Sequence, residues 1–395
     1  MKLRILHSIS SVNPSGGGPI EGMKQISAIN QFHGHHVEIV CLDLPSDPWV
    51  KDCPFPCHAM GPAYLGYGFS PRLAPWLKAN HANYDIVVIN GIWQYNAFGS
   101  WRALQGSGTP YFVYTHGMLD PWFKRTYPLK HLKKWLYWPW GDYRVLRDAA
   151  AVLFTCEEER RLARESFWLY RCQEFVANYG TAGPVGDAIA QRRLFLEKFP
   201  RLQGAKCLLF LGRVHVKKGP DLLFRALAAV LQRLPGDLTR RVRLVMAGPN
   251  DHAYGREMQN LAGELGLSER ITWTGMVGGD LKWGAFHAAE AFILPSHQEN
   301  FGIAVAEAMA CGVPVLISDQ VNIWREICSD GAGFVDNDDL AGTINLIERW
   351  LLTPEAEWSA MRQRAKVSFK TRFNIEKAAT SLLRAAEKFG VAGRE

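Results

Sequence analysis

The stretch from Ala291 to Asp319, AFILPSHQENFGIAVAEAMACGVPVLISD, constrains the fold more than any other part of the chain. Its apolar run Ala291 to Leu294 has the length of a buried strand and is followed by a polar turn over 295–300. Gly302 to Ala310 is a small-residue helix, and Pro314 to Ile317 is a second apolar strand. Two short apolar strands joined by a helix make a βαβ unit, the building block of a parallel sheet.

Turn and helix carry two carboxylates, Glu299 and Glu307, with Asn300, Phe301, Gly302 and Ile303 between them at the helix start. The five steps from Gly302 to Glu307 span roughly 7–8 Å, on the order of the distance between the two sugars of a nucleotide sugar. The backbone NH groups of Phe301, Gly302 and Ile303 point out of the helix start, where partial positive charge favours phosphate or sugar oxygens. Glu307 has only Ala304, Val305, Ala306, Ala308, Met309 and Ala310 around it on its own helix. A buried carboxylate needs a partner, and a ribose diol would serve.

This run resembles the E-x7-E motif of retaining glycosyltransferases of family 4 (glycosyl transferases group 1), with Glu299 and Glu307 as the two glutamates and GIAVAEAMACGVPV as the helix and following turn. The resemblance implies a GT-B fold, two Rossmann-like parallel-sheet α/β domains facing across a cleft. It also implies Glu299 as a catalytic residue beside the donor sugar and Glu307 on the ribose.

Upstream, the strand Lys206 to Leu211 ends in Gly212-Arg213-Val214-His215-Val216-Lys217-Lys218-Gly219 before a helix reaching about Leu234. Arginine forks onto phosphate oxygens and lysine supplies a point charge, so Arg213 and Lys218 suit a diphosphate. The loop is similar to the family's G-R-x4-K-G diphosphate motif. In the family the turn after the strand Ile271 to Trp273 lies beside the nucleobase, which implies that place for residues 275–277.

The first half has the same strand–helix rhythm. Leu3 to Ile9 is a strand, NPSGGG a glycine-rich turn and Ile20 to Phe32 a helix; Gly17 and Gly18 are candidates for donor phosphate through their backbone NH groups. The spacing is not G-x-G-x-x-G, and Val37 to Leu42 does not end in a ribose-binding acid although Asp43 lies nearby, which argues against a dinucleotide dehydrogenase. Strands recur at Asp85 to Asn90, Tyr111 to Thr115 and Ala149 to Thr155, with an irregular insertion or lid over 45–75. Tyr111 to Thr115 runs into THGMLDPW, where an open α/β sheet places its ligand. That motif resembles the family's acceptor-domain motif, which implies His116 as a catalytic residue contacting the donor sugar. Asn178-Tyr179-Gly180 departs from the family's Pro-Asn-Gly-Val.

Residues 122–147 hold seven Lys or Arg and one Asp, interleaved with Trp and Tyr. Such a composition suits the headgroup level of an anionic membrane, the competing arrangement being Trp135, Leu136 and Trp138 packed inward over a solvated basic face. Asp336-Asn337-Asp338 contains D-x-D, but its position before a helix reads as a polar turn and N-cap.

With 395 residues the chain exceeds the size at which one core keeps growing. The expected division is 1–180 for the acceptor side, a linker over 181–205 and 206–374 for the donor side, with a last helix at about 375–390 crossing back onto the first domain. A net charge of +7 suits anionic ligands, and no arginine-rich arm or RNA-binding signature points to nucleic acid. Eight scattered cysteines fit reduced thiols in a cytoplasmic protein, its membrane contact peripheral and at the inner face. The start lacks the apolar core of a signal peptide, and no stretch reaches about 20 apolar residues.

The resulting expectation is a metal-independent retaining glycosyltransferase, needing no cofactor, that moves a sugar from a UDP- or GDP-linked donor to a glycan or lipid-linked oligosaccharide in surface polysaccharide synthesis. The alternative is a nucleotide-sugar 2-epimerase of the same fold, which needs no acceptor.

Overall fold

A computed structural model describes residues 2–391. The chain forms two compact units, one of residues up to Gly180 together with those from Ile375 onward, the other of Thr181–Asn374.

The first unit runs β1 (Arg4–Ile9), α1 (Gly18–Phe32), β2 (His36–Cys41), β3 (Cys57–Ala59), β4 (Ile86–Asn90), β5 (Tyr111–Tyr114), α2 (Pro128–Tyr137), β6 (Ala151–Phe154), α3 (Glu157–Ala163) and β7 (Glu174–Val176). Its sheet is parallel throughout, in the order β3-β2-β1-β4-β5-β6-β7. The chain leaves β1 in one direction for β2 and β3, then returns to the other side of β1 with β4, so neighbouring loops diverge above the β1–β4 pair. Strands β4, β5 and β6 are buried along their whole length, as sheets covered on both faces require.

Segment 45–75 departs from the expectation of an irregular lid. It supplies the edge strand β3, in register with β2 through Ile39, Val40 and Cys41. Beyond β3 it is tied down by Ser70 Oγ donating to the Met60 carbonyl at 2.6 Å and Arg72 to the Gly61 carbonyl at 2.9 Å. The helix Ile375–Ala386 packs on α1 with Ala378, Ala379, Leu382 and Ala385 buried, small residues that let two helices approach closely. Asn178 N donates to Ser381 Oγ at 3.2 Å at the same junction.

The second unit runs α4 (Ala188–Lys198), β8 (Lys206–Leu211), α5 (Pro220–Arg233), β9 (Val242–Ala247), β10 (Ile271–Gly275), α6 (Gly279–Ala288), β11 (Ala291–Leu294), α7 (Ile303–Ala310), β12 (Val315–Ser318) and β13 (Gly333–Asp336). Its parallel sheet has the order β10-β9-β8-β11-β12-β13, so the strand order reverses between β8 and β11. Phe210, Phe224, Phe286 and Phe292 fill the layers between sheet and helices.

Residues 181–205 are not a free linker. They contain α4, which packs along α6 and buries Phe195 and Gln191 within the second unit. Glycine at 284 allows this approach, because a Cβ there would lie 2.3 Å from the Gln191 carbonyl oxygen.

Candidate active site

In an open α/β sheet the loops at the carboxyl ends of the strands part where the strand order reverses, and that opening receives the ligand. In the second unit the reversal lies between β8 and β11, whose following loops are 212–219 and 295–302. These loops carry Arg213, Lys218, Glu299, Asn300, Phe301 and Gly302.

The two loops are stitched together. Gly219 has φ 62°, and a Cβ there would sit 2.2 Å from the Pro295 carbonyl oxygen, so only glycine lets the backbones come this close. His297 N donates to the Lys217 carbonyl at 2.7 Å, and Lys217 Nζ donates to Gln298 Oε1 at 2.7 Å. Lys218 Nζ is in direct contact with Glu299 Oε2. Glu299 is held from behind by its N–H on the Gln320 carbonyl and its carbonyl on Asn322 N, both at 3.0 Å.

Burial, then Lys217 and Arg213, push the Lys218 ammonium down to about 7, while contact with Glu299 opposes loss of its proton. Arg213 is exposed and makes no hydrogen bond or ion pair among the described residues, leaving its guanidinium open to a ligand. A diphosphate reaching this loop would meet one exposed cation and one held in place.

Helix α7 starts at Ile303 from Gly302, whose φ of 76° places it in the left-handed region. Phe301 is buried and meets the Phe373 ring edge-on at 5.8 Å, so its side chain serves packing and only its backbone is offered at the helix start. Asn300 Oδ1 lies 3.5 Å from Asn322 Nδ2.

Glu307 is only 6% exposed, and the partner that a buried carboxylate needs is supplied within the protein, beside any ribose diol. Lys282 Nζ on α6 donates to Glu307 Oε1 at 2.8 Å. Sequence reasoning missed Lys282 because it lies 25 residues away on a different helix; a lysine on the buried side of a helix was the one available signal. The D-x-D residues diverge: Asp338 pairs with His297 at 2.9 Å, Asp336 accepts from Asn345 at 2.5 Å, and the following helix is capped by Asp339 instead. Among the described residues no group of three or more His, Cys, Asp or Glu could hold a metal ion.

In the first unit the reversal lies between β1 and β4, flanked by the loops after β1, β4 and β5. His116, with φ 48°, stands on the loop after β5. Its ring stacks on Tyr114 at 5.5 Å, meets Tyr179 edge-on at 6.1 Å, and lies 3.3 Å from Asn90 Oδ1. Burial pushes the imidazole down to about 4, so at neutral pH His116 is an uncharged hydrogen-bonding group rather than an imidazolium acid.

The loop is held by Glu159 on α3, a residue the sequence reading passed over. Glu159 Oε1 accepts from Thr115 Oγ1 at 2.7 Å and Gly117 N at 2.6 Å; Oε2 accepts from Thr155 N at 2.7 Å and Thr155 Oγ1 at 2.6 Å. Those bonds bracket His116 on both sides.

Gly18 lies near His116 through Tyr179, whose hydroxyl donates to the Gly18 carbonyl at 3.4 Å. Gly17 is exposed, but its N–H already donates to the Pro14 carbonyl at 3.1 Å, so it is not an open phosphate donor as expected. Asp43 shapes this loop by accepting from Ser11 Oγ at 2.6 Å and Val12 N at 2.8 Å.

The basic aromatic segment divides between the two arrangements expected for it. Trp138 is fully buried, its indole donating to the Trp168 carbonyl at 2.8 Å. Leu129, Leu132 and Leu136, spaced as one stripe of α2, are more than half exposed beside Lys130 and Lys133, as is Trp140 in the turn beyond the helix. No helix among the described residues is long and apolar enough to cross a membrane.

Residues 17–178 match the family model described as glycosyl transferase 4-like domain, and residues 191–368 the model described as glycosyl transferases group 1. A D-inositol 3-phosphate glycosyltransferase of Saccharomonospora viridis is 32% identical over 182 residues, 45% of this chain and 42% of that protein. The chain's match spans less than half the length of the curated relatives it resembles. Among solved structures, sucrose-phosphate synthase from Thermosynechococcus elongatus superposes over 99% of this chain and 100% of its own, with TM-score 0.77 and 22% identity. Anabaena HepE in complex with UDP and glucose covers 98% of this chain and 99% of its own, with TM-score 0.76 and 16% identity. At these identities the likeness establishes the fold, the two-unit α/β GT-B fold of glycosyltransferases. The chain is thus built of a glycosyl transferase 4-like domain over residues 17–178 followed by a domain of the glycosyl transferases group 1 family over residues 191–368.

Proposed function

We propose that this protein is a glycosyltransferase that takes a sugar from a nucleoside-diphosphate donor, UDP- or GDP-linked, and passes it with retention of configuration to a glycan or lipid-linked acceptor. The observation that carries this reading is the joined pair of loops at the β8–β11 reversal, where Lys218 touches Glu299 beside the exposed Arg213. Departure of a nucleoside diphosphate builds negative charge on its oxygens, and Arg213, Lys218 and the NH groups at the start of α7 are donors set out in advance to stabilise it. Metal-independent transfer rests on these groups.

In this scheme Glu307 accepts hydrogen bonds from the ribose diol and Glu299 from the donor sugar. His116, held neutral, offers a hydrogen bond to a sugar hydroxyl. The named relatives are glycosyltransferases, and HepE was crystallised with UDP and glucose, which favours transfer over 2-epimerisation.

The exposed stripe on α2 supports a second element of the proposal, peripheral contact with an anionic bilayer that presents the acceptor. Apolar residues would enter the interface while Lys130 and Lys133 meet anionic headgroups. Flotation with anionic vesicles tests this; Leu129→Ser with Leu136→Ser should abolish it, and undiminished flotation refutes the contact.

The donor assignment is tested by thermal shift against UDP, GDP and their sugar conjugates. A ligand at about 100 times its dissociation constant should stabilise the protein by about 2.7 kcal/mol. The shift should vanish in Arg213→Ala and Lys218→Ala. A response that survives both substitutions would overturn the diphosphate role of this loop.

A further inference from the structure

We propose that Lys282 is a positioning residue for the nucleotide, fixing the Glu307 carboxylate in the orientation and charge state that read the ribose diol. The inference rests on the donor reading above and adds to it a residue that selects ribonucleotides over 2′-deoxyribonucleotides.

Three observations carry it. Glu307 is almost entirely buried on α7, a helix whose other residues are Ile, Ala, Val and Met. Its Oε1 is bonded at 2.8 Å by an ammonium from another element, so orientation of the carboxylate depends on the packing of α6 and not on α7 alone. Lys282 is itself held: its Nζ lies 4.2 Å from the centroid of the Trp283 ring, and its side chain is only one quarter exposed.

The chemistry follows from charge and geometry. An ionised carboxylate is an acceptor with about four lone-pair sites, so it can accept from an ammonium and from diol hydroxyls together. Without Lys282, a carboxylate this buried is driven towards its neutral form or towards another rotamer. Either change removes the acceptor that a 2′-hydroxyl would use.

A site built around a hydroxyl rejects the analogue lacking it, because its own polar group is then left unpaired. A hydrogen bond to a charged group corresponds to roughly 10- to 100-fold in affinity. Isothermal titration of the full chain with UDP and GDP and with their 2′-deoxy forms should therefore show the ribonucleotide bound about 10- to 100-fold more tightly.

In Lys282→Met the ratio should collapse to within about threefold and nucleoside diphosphate affinity should fall about tenfold, while Lys282→Arg, which keeps the cation, should recover most of both. Inorganic diphosphate, which meets only Arg213 and Lys218, should bind wild type and Lys282→Met alike; a loss there would mean that the substitution damages the site generally, and would overturn the positioning role. Lys282→Met with an unchanged ribose preference also overturns it, leaving the donor reading intact. A wild-type protein that binds neither nucleotide would bring down both.

Discussion

Replacing Glu159 with glutamine tests how the His116 loop is held. The carboxylate accepts four buried hydrogen bonds, two on each oxygen, from Thr115, Gly117 and Thr155. Glutamine keeps one accepting oxygen and turns the other into an NH2 group, so one backbone N–H, of Gly117 or of Thr155, faces a donor whichever way the amide lies. The hydroxyls can rotate away and the backbone cannot. A buried donor left without an acceptor costs about 1–3 kcal/mol, and the facing NH2 loses a partner as well. Relief from burying a charge offsets part of this, leaving a net loss of roughly 2–3 kcal/mol. For a domain of 150–250 residues that lowers the midpoint by roughly 4–12 °C. The check is thermal unfolding followed by tryptophan fluorescence, with kcat measured well below the transition. Because Thr115 and Gly117 flank His116, kcat should fall at least about tenfold while KM for the donor stays within about twofold. A stability loss under about 0.5 kcal/mol with unchanged kcat would show that the carboxylate does not organise this loop.

Three further outcomes follow from the same structure. Burial holds the Lys218 ammonium down to about 7 and contact with Glu299 opposes loss of its proton, so affinity for a nucleotide sugar should weaken as pH rises above that value, by at most about tenfold per pH unit; a flat profile from about pH 6.5 to 9.5 by titration calorimetry would refute it. Burial raises the Asp142 carboxyl from its ordinary 3.8 to about 7, so between those values the folded protein binds the extra proton and stability declines as pH rises. At about 1.36 kcal/mol per pH unit the decline reaches up to about 4 kcal/mol, and Asp142→Asn, which keeps an acceptor for Trp93 N, should be the more stable protein at pH 8 in urea melts and lose that advantage at pH 4. Gly219→Ala drives a methyl group against the Pro295 carbonyl in a left-handed backbone and should abolish nucleotide binding in calorimetry; binding within about threefold of wild type would show that the two loops can part without loss.

Strands and loops that carry their own signal were legible without coordinates. Apolar runs such as Ala291 to Leu294 and Pro314 to Ile317 mark strands, the second observed one residue on at Val315–Ser318, because consecutive buried residues suit a sheet covered on both faces. Arg213, Lys218, Glu299 and the start of α7 could be picked out because each loop is short and its chemistry is contiguous. Segment 45–75 was obscure because β3 is only three residues, Cys-His-Ala, among prolines and glycines, and becomes a strand only by pairing with β2. Helix α4 reads as linker in the sequence because its charged residues mask the two, Gln191 and Phe195, that it buries against α6.

What the sequence by itself determined is the inventory: the alternation that makes two parallel sheets, the glycines that open the turns, and the cations and carboxylates placed at strand ends. Which of those charges meet was decided only by tertiary structure. Lys218 finds Glu299 across 81 positions, Lys282 finds Glu307 across 25, and Glu159 reaches Gly117 across 42. Local periodicity carries no information about such pairs. They exist because a parallel sheet brings loops and covering helices distant in the chain against one another, where burial makes an unpaired charge costly.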